Sequence, residues 1–280
     1  MPYFILRALS CFPWRRGRRT NSKTAVSSKW IKTKVLAASP MLSAHIPMTL
    51  RLSNDSLERM LSGFGMVYVK PESGSCGVGV MKVERAGGKW VVQSGRQRKT
   101  FGRYAELIRW LRWRMKGKPY LVQRGIRMIR RNSRPIDFRV MIQKGRKVGW
   151  KVTGTAARVA FPGKAVTNGS QGGSIHGTEA ILRETFGPQR SIRILNKFDA
   201  LAHATALRFS RVYPKMRELG LDIAVDRRGR CWILEVNTRP DPCPFTKLSD
   251  PSMLRTIVKF AREYGRTYNL TCRKARRGGG

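Results

Sequence analysis

A glycine-rich segment contains the first residues whose types and spacing suit phosphate chemistry. Gly74, Gly77 and Gly79 follow the strand-like run MVYV, which ends at Lys70. Glycine lacks the Cβ that would hold a ligand away from the backbone, and successive N–H groups in such a turn bind anions. Lys70 would add a positive charge for the same phosphate. No Lys-Ser or Lys-Thr pair follows these glycines, so the segment is not a P-loop, and a flexible hairpin loop is the alternative interpretation.

A second group of residues suits metal binding. In the run CWILEVN, Glu235 and Asn237 are two residues apart, so on a strand they share one face while Leu234 and Val236 point into the core. If this strand pairs with the preceding one through the four-residue loop 227–230, Asp222 lies opposite Glu235. Three oxygen ligands of this kind hold Mg²⁺ together with substrate phosphates. The alternative is a surface hairpin whose acids offset neighbouring arginines.

Strands and helices are needed to position both groups. The glycine segment lies between two strand-like runs, and the acids lie on a predicted hairpin. Helical spacing predicts helices over residues 104–115, roughly 192–219 and roughly 253–264. These elements mix without regular βαβ alternation, which favours the α+β class.

The composition indicates a folded protein with a strongly basic surface. The 280 residues include 57 Lys and Arg against 16 Asp and Glu, a formal net charge of +41, yet 41% are hydrophobic. That apolar content excludes wholesale disorder. The charge favours polyanionic partners, which include nucleotides, nucleic acid, acidic peptides and anionic surfaces.

The cysteines and the apolar runs give expectations about the cellular location of the protein. Five scattered cysteines show no zinc-binding spacing, so a reducing, cytoplasmic environment is the simplest expectation. No apolar run reaches the ~18 residues of a transmembrane segment. The apolar start is interrupted by Arg7 and followed by basic residues, unlike a secretory signal, and a peripheral amphipathic anchor over residues 1–19 is the alternative.

Several motifs, taken in order along the chain, resemble those of the ATP-grasp ligases. They are VYVKPESGSCGVGV, PYLVQRGI, DFRV, GLDIAV and ILEVN. Longer and more specific motifs, which include DFRVMIQ and AARVA, are similar to those of the YheC/YheD-type branch, described as endospore coat-associated proteins. The resemblance covers roughly residues 29–265.

This resemblance implies an α+β ATP-grasp fold in which two α+β lobes grip ATP between them. It divides the chain into a basic N-terminal extension (1–28), an ATP-grasp domain (29–265) and a basic C-terminal tail (266–280). The N-terminal domain that usually precedes an ATP-grasp domain is expected to be largely absent.

The resemblance also assigns roles residue by residue. Lys29 and Lys70 would contact phosphates beneath the glycine loop, and a hinge would read the adenine edge with its backbone. The loop and hinge residues are Ser73, Gly74, Ser75, Gly77, Gly79, Gln123, Arg124, Gly125 and Ile126. The magnesium ligands are Asp222, Glu235 and Asn237. The catalytic residues around the transferred phosphate are Arg139, Arg158 and Asn168.

The implied activity is an ATP- and Mg²⁺-dependent carboxylate–amine ligase that forms an acyl phosphate. The positive charge predicts an acidic small-molecule, peptide or polymer substrate. One alternative is an ATP-binding, spore-coat or surface-associated protein without ligase turnover. Another is a protein that binds a polyanion such as RNA through its basic patches. The expected location is cytoplasmic, with spore association as the variant that the family implies.

Overall fold

The structure, a computed structural model, describes residues 24–164, 172–272 and 275–278. The predicted catalytic residue Asn168 lies outside these ranges. Two β-sheets, each with its own helices and core, contribute residues to one cleft. This mixture of helices and mainly antiparallel strands confirms the predicted α+β class.

Helices and strands alternate irregularly along the described part of the chain. The helices are α1 (Lys29–Ala37), α2 (Pro40–Ser43), α3 (Asn54–Phe64), α4 (Tyr104–Met115), α5 (Thr178–Phe186), α6 (Pro188–Val212) and α7 (Ser252–Glu263). The strands are β1 (Thr49–Arg51), β2 (Met66–Pro71), β3 (Met81–Ala86), β4 (Lys89–Ser94), β5 (Gln97–Phe101), β6 (Tyr120–Arg124), β7 (Arg130–Arg131), β8 (Arg134–Gly145), β9 (Gly149–Val159), β10 (Ser174–Gly177), β11 (Glu218–Val225), β12 (Cys231–Asn237) and β13 (Arg276–Arg277). A 3₁₀ turn at Cys243–Lys247 follows β12.

The N-terminal lobe is built on a six-stranded sheet in the order β1-β6-β2-β3-β4-β5. Its core joins Leu57 of α3 and Leu107 of α4 to Val67 and Val122 in the centre of the sheet. The glycine segment connects β2 to β3, as the two flanking strand-like runs predict. This lobe therefore supplies the glycine loop and Lys70.

The C-terminal lobe is built on a second sheet in the order β12-β11-β8-β9-β10-β13, with β7 paired to β8. On one face Phe138 of β8 packs against Phe198 of α6, with ring centroids 5.1 Å apart. Helix α7 packs through Ile257 in a different cluster, with Met141 of β8. Neighbouring residues of a strand point to opposite faces, so α6 and α7 cover opposite sides of this sheet.

Two of the three predicted helices match the structure, and the third was predicted to extend too far at its C-terminal end. Helices α4 and α7 match the expected ranges, but the predicted continuation of the long helix to residue 219 is wrong. Helix α6 ends at Val212 because Tyr213 precedes Pro214, and a residue before proline is disfavoured in helical conformation. The chain then enters β11 at Glu218, which is the strand that places Asp222 in the cleft.

Both ends of the described chain pack on the folded body. The Val26 N–H donates to Thr238 Oγ1 at 2.8 Å, and this hydroxyl donates to the Val26 carbonyl at 3.1 Å. The predicted boundaries at residues 28 and 265 remain predictions. No helix in the described ranges combines the length and apolarity needed to cross a bilayer.

Two of the scattered cysteines form a pair that the sequence did not indicate. Cys243 and Cys272 form a disulfide, with Cα atoms 5.4 Å apart. Cys231 is buried and forms no disulfide. The expectation of a reducing environment, which rested on the absence of a pairing pattern, does not account for this disulfide.

Candidate functional site

One cleft of about 720 Å³ is lined by both sheets and has the size of a typical small-molecule site. Its lining brings together most of the residues that the sequence singled out. These are Lys29, Lys70, Gly74, Ser75, Gly77, Gln123, Arg124, Ile126, Arg139, Arg158, Asp222, Glu235 and Asn237. Ser73, Gly79 and Gly125 are close in sequence to this lining but do not belong to it.

The glycine loop adopts a conformation that depends on glycine. Gly74, Gly77 and Gly79 have φ angles of 119°, 68° and 75°, in the left-handed region that glycine adopts readily. A Cβ on Gly79 would lie 2.9 Å from the Pro71 side chain, so this glycine allows the loop to return against β2. Gly79 therefore shapes the loop, whereas Gly74 and Gly77 face the cleft.

Lys29 connects the loop to the C-terminal lobe. Its Nζ donates to the Gly74 carbonyl at 2.7 Å and lies 3.8 Å from Glu235 Oε1. The residue is positioned by the start of α1, where the Ser28 side chain caps the helix by accepting from the Ile31 N–H at 3.2 Å. Lys29 thus places a positive charge between the loop and the predicted metal ligands.

Lys70 points into the cleft from the end of β2. Its Nζ donates to Gln123 Oε1 at 2.6 Å, and Gln123 in turn donates to Thr49 Oγ1 at 3.1 Å. Burial lowers the pKa of Lys70, while the negative charge of Glu235 opposes this shift. Gln123 therefore orients Lys70 through its side chain, a role that the predicted hinge assignment does not include.

Lys32 is a buried lysine next to the cleft that the sequence reasoning missed. It is 6% exposed, and its Nζ lies 3.5 Å from Glu235 Oε1. Burial lowers its pKa, and Glu235 partly offsets that effect. The signal was available, because residues three apart on a helix share a face and Lys32 follows Lys29 by three.

The β11–β12 hairpin brings the three predicted oxygen ligands together, but with a longer loop and a β-bulge that the sequence did not predict. Asp222 pairs directly with Glu235, as predicted. The connecting loop nevertheless contains five residues, because Val225 pairs with Cys231, and a β-bulge between Asp222 and Ile223 restores the register. The bulge accommodates Leu234 as the extra residue.

This bulge also overturns the expected direction of one side chain. Leu234 lines the cleft and packs with Ile126, Met128 and Trp232, so the prediction that it points into the core is wrong. The two-residue periodicity of side-chain direction, when applied to a sequence, cannot reveal an extra residue in a strand. The result is an apolar patch beside the hinge, of the kind that accommodates a flat aromatic base.

The hinge is tied into both lobes by its backbone and by one side chain. The Arg124 N–H donates to the Met48 carbonyl at 2.8 Å, and the Gly125 N–H donates to the Met66 carbonyl at 2.9 Å. The Arg124 guanidinium lies 5.3 Å from the centre of the Trp232 ring. Two of the four predicted hinge amides are thus used within the fold, and Ile126 is the hinge residue that joins the apolar patch.

Two buried arginines hold Asp222 at the centre of the second sheet. Arg139 Nε donates to Asp222 Oδ1 at 2.7 Å, and Arg158 Nη2 lies 3.1 Å from Asp222 Oδ2. Burial alone would raise the pKa of Asp222, but Arg139 and Arg158 lower it to about 2. The carboxylate is therefore ionised throughout the physiological pH range.

Asp137 completes this charge cluster and was also missed. Arg158 donates to it twice, from Nε to Oδ1 at 2.7 Å and from Nη2 to Oδ2 at 2.6 Å. Burial alone would lower the pKa of Arg158, but Asp137 and Asp222 raise it. Asp137 precedes Arg139 by two residues on β8, so the shared face that led to Glu235 and Asn237 could have identified it too.

The donor set at β11 and β12 suits a hard cation. Asp222, Glu235 and Asn237 offer carboxylate and amide oxygens at one place, with Asn237 Nδ2 3.5 Å from Asp222 Oδ2. Among residues 24–164, 172–272 and 275–278, no cluster of three or more His, Cys, Asp or Glu side chains is arranged for a metal. Two carboxylates and an amide match Mg²⁺, which takes few protein ligands and completes its shell with phosphates and water.

Comparison with known proteins decides the family. The sequence profile described as YheC/D-like ATP-grasp matches residues 18–267. The chain belongs to the YheC/D-like ATP-grasp family. The recognition that the motifs suggested is confirmed, and the ATP-grasp superfamily consists in general of ATP-dependent ligases whose fold typically binds ATP and Mg²⁺.

Two curated relatives of this YheC/D-like ATP-grasp chain come from Bacillus subtilis (strain 168). The chain is 26% identical over 220 residues to the endospore coat-associated protein YheD. It is 25% identical over 218 residues to the endospore coat-associated protein YheC. The matched parts make up 76% of this chain but 48% of YheD and 59% of YheC, so it spans about half the length of these relatives.

Proposed function

We propose that the protein is an ATP- and Mg²⁺-dependent carboxylate–amine ligase that acts through an acyl phosphate. The observation that supports this proposal best is the position of Asp222. It pairs with Glu235 on one side and with Arg139 on the other. The proposed metal ligands and a buried arginine pair therefore lie side by side, an arrangement suited to transfer of a γ-phosphoryl group.

The cleft offers a distinct environment to each part of ATP. The apolar patch of Ile126, Met128 and Leu234 suits the adenine ring. Lys29, Lys70 and the glycine loop suit the phosphates, since backbone N–H groups and ammonium groups neutralise their charge. With this division, the γ-phosphate would lie over β11 and β8, beside Arg139.

Mg²⁺ would be held by Asp222, Glu235 and Asn237 together with phosphate oxygens. When bound, it would neutralise charge on the transferring phosphoryl group. Lys29 and Lys32 contact Glu235 at 3.8 and 3.5 Å, so their charges already balance this carboxylate in the protein itself. We expect both lysines to turn toward phosphate when nucleotide and metal bind.

The proposed reaction has two steps. A carboxylate oxygen of the first substrate attacks the γ-phosphorus, the bond from that phosphorus to the bridging oxygen breaks, and ADP leaves. The amine nitrogen of the second substrate then attacks the acyl carbon, phosphate leaves, and the nitrogen loses a proton to give an amide. Arg139 and Arg158 would stabilise the negative charge that develops on the transferring oxygens.

The charge of the protein supports an acidic first substrate. With a formal net charge of +41, the long-range field attracts anions and repels cations. The cleft adds Arg239 at its exposed rim to the buried arginines. We therefore infer a polycarboxylate of peptide or polymer type, whose affinity would weaken with added salt.

The names of the relatives favour one other candidate. YheD and YheC are named only as endospore coat-associated proteins, so a coat-associated ATP-binding protein without ligase turnover is the second proposal. The retained pair Asp222 and Glu235 argues against a fully retired nucleotide site but not against an ATP-binding scaffold, so turnover must be measured to separate the two candidates.

Hydroxylamine trapping separates the two candidates. The protein would be incubated with ATP, Mg²⁺ and panels of amino acids, acidic peptides and polycarboxylates, and hydroxylamine would convert any acyl phosphate into a hydroxamate. Ligase function predicts ADP and hydroxamate in equal amounts with some acidic carboxylate, and loss of both in Glu235→Gln. ATP binding without hydroxamate or ADP from any acidic carboxylate would favour the coat-associated alternative.

A further inference from the structure

The described residues of the C-terminal segment, 268–272 and 275–278, contribute to the cleft although they lie beyond the family match, which ends at residue 267. Asn269, Thr271, Cys272 and Ala275 all line the same 720 Å³ cavity as the lysines and arginines. We call residues 268–272 and 275–278 the strap. Its lining residues make it part of the binding site and not a free tail.

The strap is held at its start by a polar network on β11. Tyr264 Oη and Tyr268 Oη donate to Glu218 Oε2 at 2.9 and 2.5 Å, and Arg266 forms an ion pair with the same carboxylate. Glu218 is 4% exposed, so these contacts are buried and strong. The chain up to Tyr268 is therefore fixed independently of the rest of the strap.

The far end of the strap has a weaker attachment. The Arg276 N–H donates to the Gly173 carbonyl at 3.1 Å, and the Gly278 N–H donates to the Ile175 carbonyl at 2.9 Å, which adds β13 to the sheet edge. The strap buries Ala275, which is 6% exposed, against Ile175 and Phe245. Two backbone bonds and one small apolar side chain permit easy local opening.

A disulfide supplies the middle attachment. Cys272 is bonded to Cys243, which begins the 3₁₀ turn after β12, the strand that carries Glu235 and Asn237. This covalent bond joins the strap to the element that comes after the predicted metal ligands. Of the three attachments it is the one that chemistry can break without unfolding the lobe.

The sheet order shows which side of the cleft the strap covers. Going across the sheet, Glu235 of β12 is followed by Asp222 of β11, Arg139 of β8 and Arg158 of β9. Arg158 pairs with Ile175 of β10, and Ile175 pairs with Arg277 of β13. The strap thus lies beyond the arginines, on the side away from the apolar patch at the hinge.

We infer that the strap is a disulfide-locked wall of the carboxylate-substrate side of the cleft, and that reduction of Cys243–Cys272 opens this side. A dithiol would supply two electrons and two protons, leaving two cysteine thiols and its own sulfur atoms joined as a disulfide. The assignment of this side to the carboxylate substrate rests on the proposed function, whereas the lock itself does not.

Hydrogen exchange read by mass spectrometry tests the lock directly. The full chain would be compared after oxidised glutathione treatment and after dithiothreitol treatment, with thiol alkylation reporting the state of each cysteine. We expect protection of both cysteines from alkylation in the oxidised form, and exchange over residues 269–278 about tenfold faster after reduction. Alkylation of both cysteines in the oxidised form, or equal exchange in the two forms, would overturn the lock.

Variants assign the effect to this disulfide. The double variant Cys243→Ser/Cys272→Ser should exchange like the reduced protein and should not respond to dithiothreitol. Cys231→Ala, which changes a buried free cysteine outside the cleft, is the matched control and should keep the full redox response. If the double variant does not fold, Cys272→Ser alone serves the same purpose, because it alters only the strap.

Titration calorimetry then separates the strap from the proposed function. ATP with Mg²⁺ should bind both redox forms within about twofold, because the hinge and the lysines lie away from the strap. Triglutamate, added to protein saturated with a non-hydrolysable ATP analogue, should bind the reduced form at least about threefold more weakly. Equal triglutamate affinity with an opened strap would overturn the wall assignment. Absent ATP binding with a redox-dependent strap would overturn the proposed function and leave the lock standing.

Discussion

Asp137 and Arg158 form a doubly hydrogen-bonded ion pair inside the C-terminal lobe, with donor–acceptor distances of 2.7 and 2.6 Å. They lie on neighbouring strands in register, and both are about 3% exposed. The second bond of Arg158, to Asp222, makes Asp137 a positioning residue for the predicted metal ligand. The arginine is thereby fixed before any nucleotide binds.

Removal of Asp137 should destabilise the protein strongly. In Asp137→Ala the Arg158 guanidinium loses its bidentate partner in a buried setting, and such a loss costs about 3–5 kcal/mol. Urea unfolding at neutral pH measures this change. Glu179→Ala, which removes the exposed partner of Arg183 on α5, is the control and should change stability by less than about 1 kcal/mol. Equal effects of the two substitutions would contradict the positioning role.

Acid unfolding should report the ionisation of Asp222. Its pKa is lowered in the folded protein to about 2 from an ordinary value of 3.8. A depressed carboxyl pKa contributes stability above the unfolded value, and this contribution is lost as pH falls from about 4 toward 2. The loss amounts to about 2 kcal/mol. Denaturant unfolding at several pH values would show it in the wild type, and Asp222→Asn should be less stable at neutral pH and lack this component. An identical acid slope in both proteins would disprove the assignment.

ATP affinity should decline in mild alkali because of Lys70. Burial lowers the pKa of its ammonium group below the ordinary lysine value of 10.5, so charge is lost earlier than on a surface lysine. The neutral amine cannot offset phosphate charge, so affinity should begin to fall at a pH below the ordinary lysine pKa of 10.5. Lys70→Arg keeps its charge and should flatten this profile in calorimetric titrations. A profile unchanged by that substitution would show that other groups control the pH dependence.

Leu234, the extra residue of the β-bulge, should contribute to binding of the adenine base of ATP. Leu234→Asp places a carboxylate in the apolar patch beside the hinge, and ATP affinity should drop at least about tenfold. Leu207→Asp introduces the same change at a side chain that is 57% exposed on α6 and should leave affinity unaltered. Fluorescent-nucleotide binding measures both. Should Leu234→Asp bind as the wild type does, the adenine would have to lie elsewhere.

The sequence predicted the fold class, the family and most of the cleft, because local patterns encode them. The alternation of CWILEVN places Glu235 and Asn237 together, and the order of motifs identifies the ATP-grasp fold. Prediction from the sequence failed where the geometry depends on distant parts of the chain. The bulge at Leu234 breaks the alternation, and the Cys243–Cys272 bond joins residues whose approach only the folded lobe brings about. Lys32 and Asp137 were accessible by the same periodicity but were not singled out.

Isothermal titration with ATP and Mg²⁺ tests the central claim most directly. The wild type should bind, Lys70→Ala should bind at least about tenfold more weakly, and Lys89→Ala, an exposed lysine on β4 of the same lobe, should match the wild type. Chelation of the metal should weaken binding in the wild type and have little effect in Glu235→Gln. Absence of binding by the wild type, or equal affinity of wild type and Lys70→Ala, would contradict the nucleotide site proposed for this cleft.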